Sequence, residues 1–268
     1  MYRFQALDKI CLEQIAECFN LAFSDYEQPI HFTAQSLKYY LTASAVELSL
    51  SFGAFCGDEM VGFILNSGGS YNNHNVVFDA GTGVVPEHRG KKVFSELFGY
   101  TVQQLRQQGI ARYYLEVLQG NHHAVSIYCK KGFSVLREYS VLVGSGAKGD
   151  HHPVAVAPYQ DFEVFITKFA VEPSFEHTTH NIRRNPELYE VRYLDDRAYC
   201  IYAKRNGEII QMHYNELDAL KKVMSALVEQ YPRAMAKNVD FRYGDVLQML
   251  TETGFKEITR QYEMVRDI

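Results

Sequence analysis

Apolar positions along this chain follow two periods, and the points where the period changes mark its elements. Residues 2–7 alternate as a strand does. From Leu12 the apolar residues Leu12, Ile15, Ala16, Phe19, Ala22 and Phe23 recur at helical spacing behind a candidate cap at Asp8. A second helix is predicted from Thr33 or Ser36 through Leu37, Tyr40 and Leu41, leaving Asp25, Tyr26 and Glu27 in a polar and aromatic connection open to substrate contact. From Leu48 the period returns to two. SLSFGAF, a Gly57-Asp58 turn, MVGFILN, a long polar turn GGSYNNHN and VVFDAGTGVV predict an antiparallel meander of three strands. Gly81 and Gly83 in the last of these predict a bulge or a close approach by another backbone or a ligand, and Pro86 ends it. A helix over 94–108 closed by Gly109, a strand RYYLEVL, a helix HAVSIYCKKG and a strand FSVLREYSVLV then give the order βααβββαβαβ, an α/β class.

The Gly-rich, polar run GSGAKGDHHP at 144–153 reads as a boundary between a domain over 1–146 and a second, smaller one over 147–268. Beyond it the pattern predicts a strand FEVFITKFAV and a helix in PSFEHTTHNIRRN. A hairpin turning at Asn206-Gly207 follows, then a helix over 215–230 ended at Pro232 and a strand AMAKNVD. A helix DVLQMLTETG capped by Asp245 and a strand around KEITRQYEMV complete the chain. Meander, helix, strand, helix, strand is the order of the first half again. Gly254-Phe255 echoes Gly132-Phe133, each closing a short amphipathic helix.

Composition narrows the class. At 268 residues, 47% hydrophobic and 22% charged, the chain is globular and long enough for one or two domains with a sizeable core. A net charge of -5 argues against a nucleic-acid partner and mildly favours cationic substrates. Cys11, Cys18, Cys56, Cys129 and Cys200 are odd in number and contain no C-x-x-C pair, as reduced intracellular thiols would. The N-terminus lacks a secretory pattern and no stretch approaches the ~18 apolar residues of a membrane span, so a cytoplasmic protein without a membrane partner is expected. Oligomeric state stays open.

The candidate chemistry starts at Phe78–Phe98, FDAGTGVVPEHRGKKVFSELF, where a strand ends in a loop of Arg89, Gly90, Lys91 and Lys92 that opens a helix. Free N–H groups of a helix start and local positive charge point the same way there, which makes an anion site. Residues 115–133, LEVLQGNHHAVSIYCKKGF, carry a more specific signal. Behind a Leu-Glu-Val strand stand Asn121, then Ala124, Tyr128 and Gly132-Phe133 at offsets of three, seven, eleven and twelve. Together with Val84-Val85-Pro86-Glu87-His88-Arg89-Gly90, this stretch resembles the GNAT superfamily of acetyl-CoA-dependent N-acetyltransferases, over roughly residues 2–144.

The resemblance implies a mixed central sheet of the GNAT acetyltransferase type and acetyl-CoA as acyl donor, with no metal. Thr82, Gly83 and Val84 would pair with the pantetheine arm. Arg89 and the segment Gly90, Lys91, Lys92, Val93, Phe94 and Ser95 would cradle the pyrophosphate. Asn121 would hold the pantetheine near the thiol, and Tyr128 would lie beside the sulfur as the acid that protonates the leaving thiolate. Lys92 and Phe94 depart from the family, which places Gly and a small residue there; a helical φ/ψ at Lys92 would still present its N–H. For the base that accepts the amine proton, Glu116 resembles the glutamate of the ribosomal-protein alanine acetyltransferases, twelve residues before the tyrosine, with Asp79 as runner-up. An oxyanion would be held by an N–H at the splayed end of the strand 78–85.

The second half resembles a degenerate copy, with Leu250 where Tyr128 stands, Tyr243 where Asn121 stands and no Arg-Gly loop before the helix at 215. It is not expected to bind acetyl-CoA. The expected function is acetyl transfer to a primary amine of a small molecule by direct transfer in a ternary complex. Acetylation of a peptide N-terminus and a non-enzymatic acyl-CoA sensor are the alternatives. Gly81-x-Gly83 lacks the third glycine of a dinucleotide fingerprint. His122-His123, His151-His152 and His177-x-x-His180 have no carboxylate at ligand spacing, so no metal site is expected.

Overall fold

The computed structural model describes residues 1–25, 31–71, 74–146, 153–162 and 170–268. It divides into two compact units, Met1–Leu115 with Val265–Ile268, and Glu116–Met264. This partition does not follow the Gly-rich run at 144–153, because the strand that precedes that run pairs with strands that follow it, as described below for the second unit.

The first unit holds β1 (Arg3–Ala6), α1 (Leu12–Ala22), α2 (Ala34–Ala43), β2 (Phe52–Cys56), β3 (Glu59–Tyr71), β4 (His74–Val84), α3 (Val93–Gln107) and the first part of β5 (Arg112–Leu118). β1 to β4 are antiparallel neighbours, and β5 lies parallel to β4 after the α3 crossover, so the sheet is mixed. α1 buries Ile15, Ala16, Cys18, Phe19 and Ala22 on the sheet, with the Phe19 and Phe63 rings stacked at 5.0 Å. α2 begins with the expected cap: Thr33 Oγ1 accepts from the Ser36 N–H at 3.1 Å, and Ser36 Oγ accepts from the Thr33 N–H at 2.9 Å.

Three local expectations need correction here. α1 starts behind Cys11 rather than Asp8, because residues 7–10 form a turn of their own in which the Ile10 N–H donates to the Leu7 carbonyl at 3.0 Å. The polar run GGSYNNHN is mostly strand: β3 and β4 pair as far as Tyr71↔His74. Gly68 in it marks packing rather than turning, since a Cβ there would lie 2.6 Å from Leu50 Cδ1. The bulge in β4 is present, because Leu65 pairs with Gly81 while Asn66 pairs with Asp79, leaving Ala80 as the extra residue. The close approach at Gly83, however, is made by the protein itself. A Cβ there would lie 2.8 Å from the Phe63 ring and 2.9 Å from Ala22 Cβ of α1.

The second unit holds the end of β5, α4 (His122–Lys130), β6 (Ser134–Gly144), β7 (Ala155–Pro158), α5 (Tyr159–Phe162), α6 (Thr179–Ile182), β8 (Tyr189–Leu194), β9 (Ala198–Ala203), β10 (Ile209–Tyr214), α7 (Leu217–Gln230), β11 (Met235–Asp240), α8 (Gly244–Glu252) and most of β12 (Phe255–Asp267). Its strands run β12-β6-β11-β10-β9-β8-β7. β7 to β10 are antiparallel and β11 joins β10 in parallel after α7, which repeats the order of β1 to β5. α7 supplies Leu220, Val223, Met224 and Leu227 to a core shared with Val246, Leu250 and Phe255.

The echo between the two short helices holds in detail. Asn121 and Tyr243 are the residues before α4 and α8, with ψ of 66° and 63°. Gly132 and Gly254 close the helices at φ 87° and 90°, and Phe133 and Phe255 follow them into the interior. The cap of α8 is thus Tyr243, not Asp245, whose carboxylate accepts from the Tyr214 hydroxyl at 2.7 Å. PSFEHTTHNIRRN forms two short turns instead of one helix, because Thr178 is extended (φ -66°, ψ 152°) between them. β8 was not expected, although YEVRYL alternates. The strand expected over 162–171 falls largely outside the described residues.

Gly83→Ala is expected to lower the unfolding free energy by about 1–3 kcal/mol, the cost of overpacking a filled site. Urea denaturation with an unchanged m-value would show it.

Candidate active site

In the first unit, the loop expected to bind an anion carries two residues in left-handed backbone conformation. Gly90 has φ 73°, and Lys92, the residue before α3, has φ 64° and ψ 8°. Lys92 is therefore left-handed rather than helical, so the condition under which its N–H would need no glycine is not met. A left-handed position explains on steric grounds why glycine suits this place, since a side chain there costs on the order of 1 kcal/mol.

The first helical bond runs from the Glu96 N–H to the Lys92 carbonyl at 3.0 Å. Ahead of it, the N–H groups of Gly90, Lys91, Lys92, Val93 and Ser95 meet no acceptor among the described residues. The Lys91 and Lys92 side chains are exposed, Val93 is buried as the anchor of the turn, and the Phe94 ring lies 5.7 Å from Phe98. These are the parts of an anion cradle.

Arg89 does something other than expected. Its Nε donates to the Val84 carbonyl at 3.0 Å and its NH2 to the Ala22 carbonyl at 2.7 Å. The same guanidinium grips Asp25 through both terminal nitrogens, at 2.5 and 3.0 Å. It therefore ties the end of β4 to the end of α1. Its hydrogen bond holds the Asp25 carboxyl below the usual carboxylate range. Asp25 is engaged in the same clamp, while Tyr26 and Glu27 lie outside the described residues.

The bulge at Ala80 shapes the strand end that carries Thr82, Gly83 and Val84. β5 pairs with β4 from Val76↔Arg112 to Asp79↔Leu115 and no further. Asp79 holds the bulge: its carboxylate accepts from the Gly81 N–H at 2.9 Å and from Thr82 Oγ1 at 2.7 Å. Both oxygens of the runner-up base thus serve the strand's own geometry.

In the second unit, Glu116 points into a buried polar network with its side chain 6% exposed. Oε1 accepts from Asn238 Nδ2 at 2.7 Å, Oε2 accepts from Gln261 Nε2 at 3.0 Å, and Lys237 Nζ lies 3.7 Å from Oε2. Burial pushes the Glu116 carboxyl from its ordinary 4.5 up to about 7. The Lys237 ammonium and the Asn238 hydrogen bond pull it down, while Glu176 and Glu263 push it up. Lys237 is itself held above its usual range: burial opposes its charge, but Glu176 at 2.5 Å and Glu116 restore it.

Asn238, Gln261, Lys237 and Glu176 were not singled out in the sequence. The available signal was Asn238 itself, an asparagine in the middle of a strand, because asparagine tolerates the left-handed backbone of a bulge. Its φ is 60°, and the β11–β6 register shifts around it between Ala236↔Leu142 and Val239↔Ser140.

The remaining expected residues sit on α4. Asn121 Oδ1 accepts from the Ala124 N–H at 3.1 Å, so it caps the helix and leaves its amide NH2 outside that bond. Tyr128 is half-buried, with its ring edge-on to Phe133 at 5.7 Å. No residue of α4 is fully buried. The structure thus gathers Thr82–Ser95 in one unit and Glu116, Asn121 and Tyr128 in the other. Among the described residues no group of three or more His, Cys, Asp or Glu is placed to hold a metal, and His151-His152 lie outside them. Among the described residues, too, no helix is long and apolar enough to cross a membrane.

Two outcomes are expected. Lys92→Gly should keep the loop and leave thermal stability unchanged or raised by up to about 1 kcal/mol, since relief of the left-handed strain competes with glycine's entropy. For Glu116, the folded pKa lies above the unfolded one, so the native state holds more protons between pH 4.5 and about 7. Stability relative to Glu116→Gln should therefore fall as pH rises through that window and level off above it, measured by denaturant titration at each pH.

Residues 12–133 match the family model described as Acetyltransferase (GNAT) family. No curated protein matches the chain. Among solved structures, a putative acetyltransferase from Pyrococcus horikoshii superposes with a TM-score of 0.69 at 15% identity, covering 100% of this chain and 89% of that one. A GCN5-related N-acetyltransferase from Sphaerobacter thermophilus gives 0.65 at 13%, covering 99% and 95%. A tandem GNAT protein from the clavulanic acid biosynthesis pathway gives 0.66 at 12%, covering 100% and 98%. At these identities the likeness is one of fold, and the family match concerns residues 12–133. The mixed sheets, the motif order and that match together identify residues 12–133 of this chain as a domain of the acetyltransferase (GNAT) family.

Proposed function

We propose that the protein moves the acetyl group of acetyl-CoA to a primary amine of a small molecule, by direct transfer in a ternary complex. The observation that carries this reading is Glu116, a carboxyl 6% exposed and held by Asn238 at 2.7 Å and Gln261 at 3.0 Å, whose burial pushes it up to about 7. An aliphatic ammonium near pKa ~10 lies about six units from an ordinary glutamate. Raising the base by roughly 2.5 units makes that proton transfer about 3 kcal/mol less uphill. Glu116 takes the ammonium proton, the free amine attacks the thioester carbon, and the tetrahedral oxyanion collapses to expel the thiolate. Tyr128 gives that thiolate its proton and is reprotonated, through solvent, by the proton that the acylated nitrogen loses.

In this reading residues 1–146 are the catalytic copy and 147–268 the degenerate one. The N–H groups of Gly90, Lys91, Lys92, Val93 and Ser95 take the pyrophosphate, Phe94 packs the first turn of α3, and the lysine ammonium groups add charge. Arg89 serves the site by fixing the β4 end whose edge, Thr82–Val84, receives the pantetheine. Asn121 offers its amide NH2 to a pantetheine carbonyl. The net charge of -5 suits a cationic acceptor.

Thiol release from acetyl-CoA, measured against a panel of aliphatic amines, polyamines, amino sugars, amino acids and short peptides, tests this. Turnover of a small amine is expected, with Tyr128→Phe losing about tenfold or more and Glu116→Gln about a hundredfold in kcat at pH 7. Binding of acetyl-CoA by calorimetry should hardly change in either variant. Acetyl-CoA binding with no thiol release across the panel would sink the reading in favour of a sensor. Turnover of the peptides alone would move it to N-terminal acetylation.

A further inference from the structure

We propose that Asn238, from the half that lacks the acetyl-CoA motifs, is the positioning residue that aims Glu116 at the amine. The inference rests on the reading of Glu116 as base and extends it. Asn238 Nδ2 donates to Glu116 Oε1 at 2.7 Å and to Ser174 Oγ at 3.1 Å. Its Oδ1 accepts from Gln261 Nε2 at 2.8 Å, and the same nitrogen donates to Glu116 Oε2 at 3.0 Å. Because Oδ1 is committed to Gln261, the Asn238 amide has one orientation, the one that turns its NH2 toward the carboxylate.

A carboxylate has about four acceptor sites, so two amide donors fix its plane and still leave a lone pair for a proton. The backbone shows what this orientation requires. Asn238 is 5% exposed and sits at φ 60° inside β11, in the bulge that breaks the β11–β6 register. A regular strand would need neither the bulge nor the left-handed residue. Glycine would satisfy that backbone more easily, yet asparagine stands there with every polar atom of its side chain engaged.

The charged and titratable groups around Glu116 come from every neighbouring element of the unit. Lys237 stands on β11, Glu176 and His177 on the turn before α6, and Glu263 on β12, with Glu263 paired to Arg137 of β6 at 2.6 Å. With these left in place, Asn238→Gly removes the bonds to Glu116, Ser174 and Gln261 without changing any charge, and Asn238→Asp adds one negative charge.

The test uses the full chain, acetyl-CoA, and the amine of the panel that the wild type turns over fastest. Asn238→Gly keeps the left-handed backbone and deletes the side chain. Asn238→Asp keeps the shape and replaces the donor by an acceptor. Both are expected to lower kcat at pH 7 by tenfold or more with KM for acetyl-CoA within twofold. Loss of a hydrogen bond to the charged form should also move the acidic limb of the kcat profile to higher pH, further in the Asp variant. If Glu116→Gln is inactive while kcat and the acidic limb stay within twofold and in place in either Asn238 variant, the positioning role is wrong and the base assignment stands. A fully active Glu116→Gln would instead overturn the base itself. Early melting of the Gly variant leaves the Asp variant to decide.

Discussion

A carboxyl group enters a protein interior only with hydrogen-bond donors waiting for it, and that requirement organises the second unit. Glu116 is met by Asn238 at 2.7 Å and by Gln261 at 3.0 Å, with Lys237 behind them. Two of these partners stand on β11 and one on β12, strands that follow the Gly-rich run in sequence. Burial without them would leave an uncompensated charge, and burial with a closer cation would return the group to an ordinary carboxylate. The distance of 3.7 Å to Lys237, whose ammonium is held more tightly by Glu176, keeps Glu116 between those limits. Strands that follow the Gly-rich run thus shape the surroundings of Glu116.

The first unit obeys a different constraint, the direction of backbone N–H groups. The bulge at Ala80 stops the β4–β5 ladder at Asp79, and Arg89 ties the strand end to α1. Left-handed residues at Gly90 and Lys92 then open α3 with its first N–H groups unspent on the protein. Side chains with obvious charge do indirect work here. Arg89 and Asp25 grip each other, and Asp79 holds the bulge.

Periodicity made most of the fold legible, because buried faces impose it: the meander, α1, α3, α7 and the repeated order of elements all stand where the apolar pattern puts them. The order of the two motifs made the family of residues 12–133 legible in the sequence. What stayed hidden depended on contacts distant in sequence. Gly68 and Gly83 look like turn or ligand glycines, and only the packing of Leu50, Phe63 and Ala22 shows why they lack a side chain. Arg89 reads as a phosphate ligand until Asp25 appears 64 residues away. Asn238 and Gln261 lie 122 and 145 residues from Glu116, in segments whose local pattern says only strand.

The proposed chemistry depends on the ionisation of one carboxyl. In protein labelled with 13C at the glutamate side chains, the carboxyl resonance absent from Glu116→Gln can be followed directly against pH. A midpoint near 7 is what a buried, amide-held Glu116 predicts. A midpoint below about 5, the ordinary range of a solvated glutamate, would contradict it.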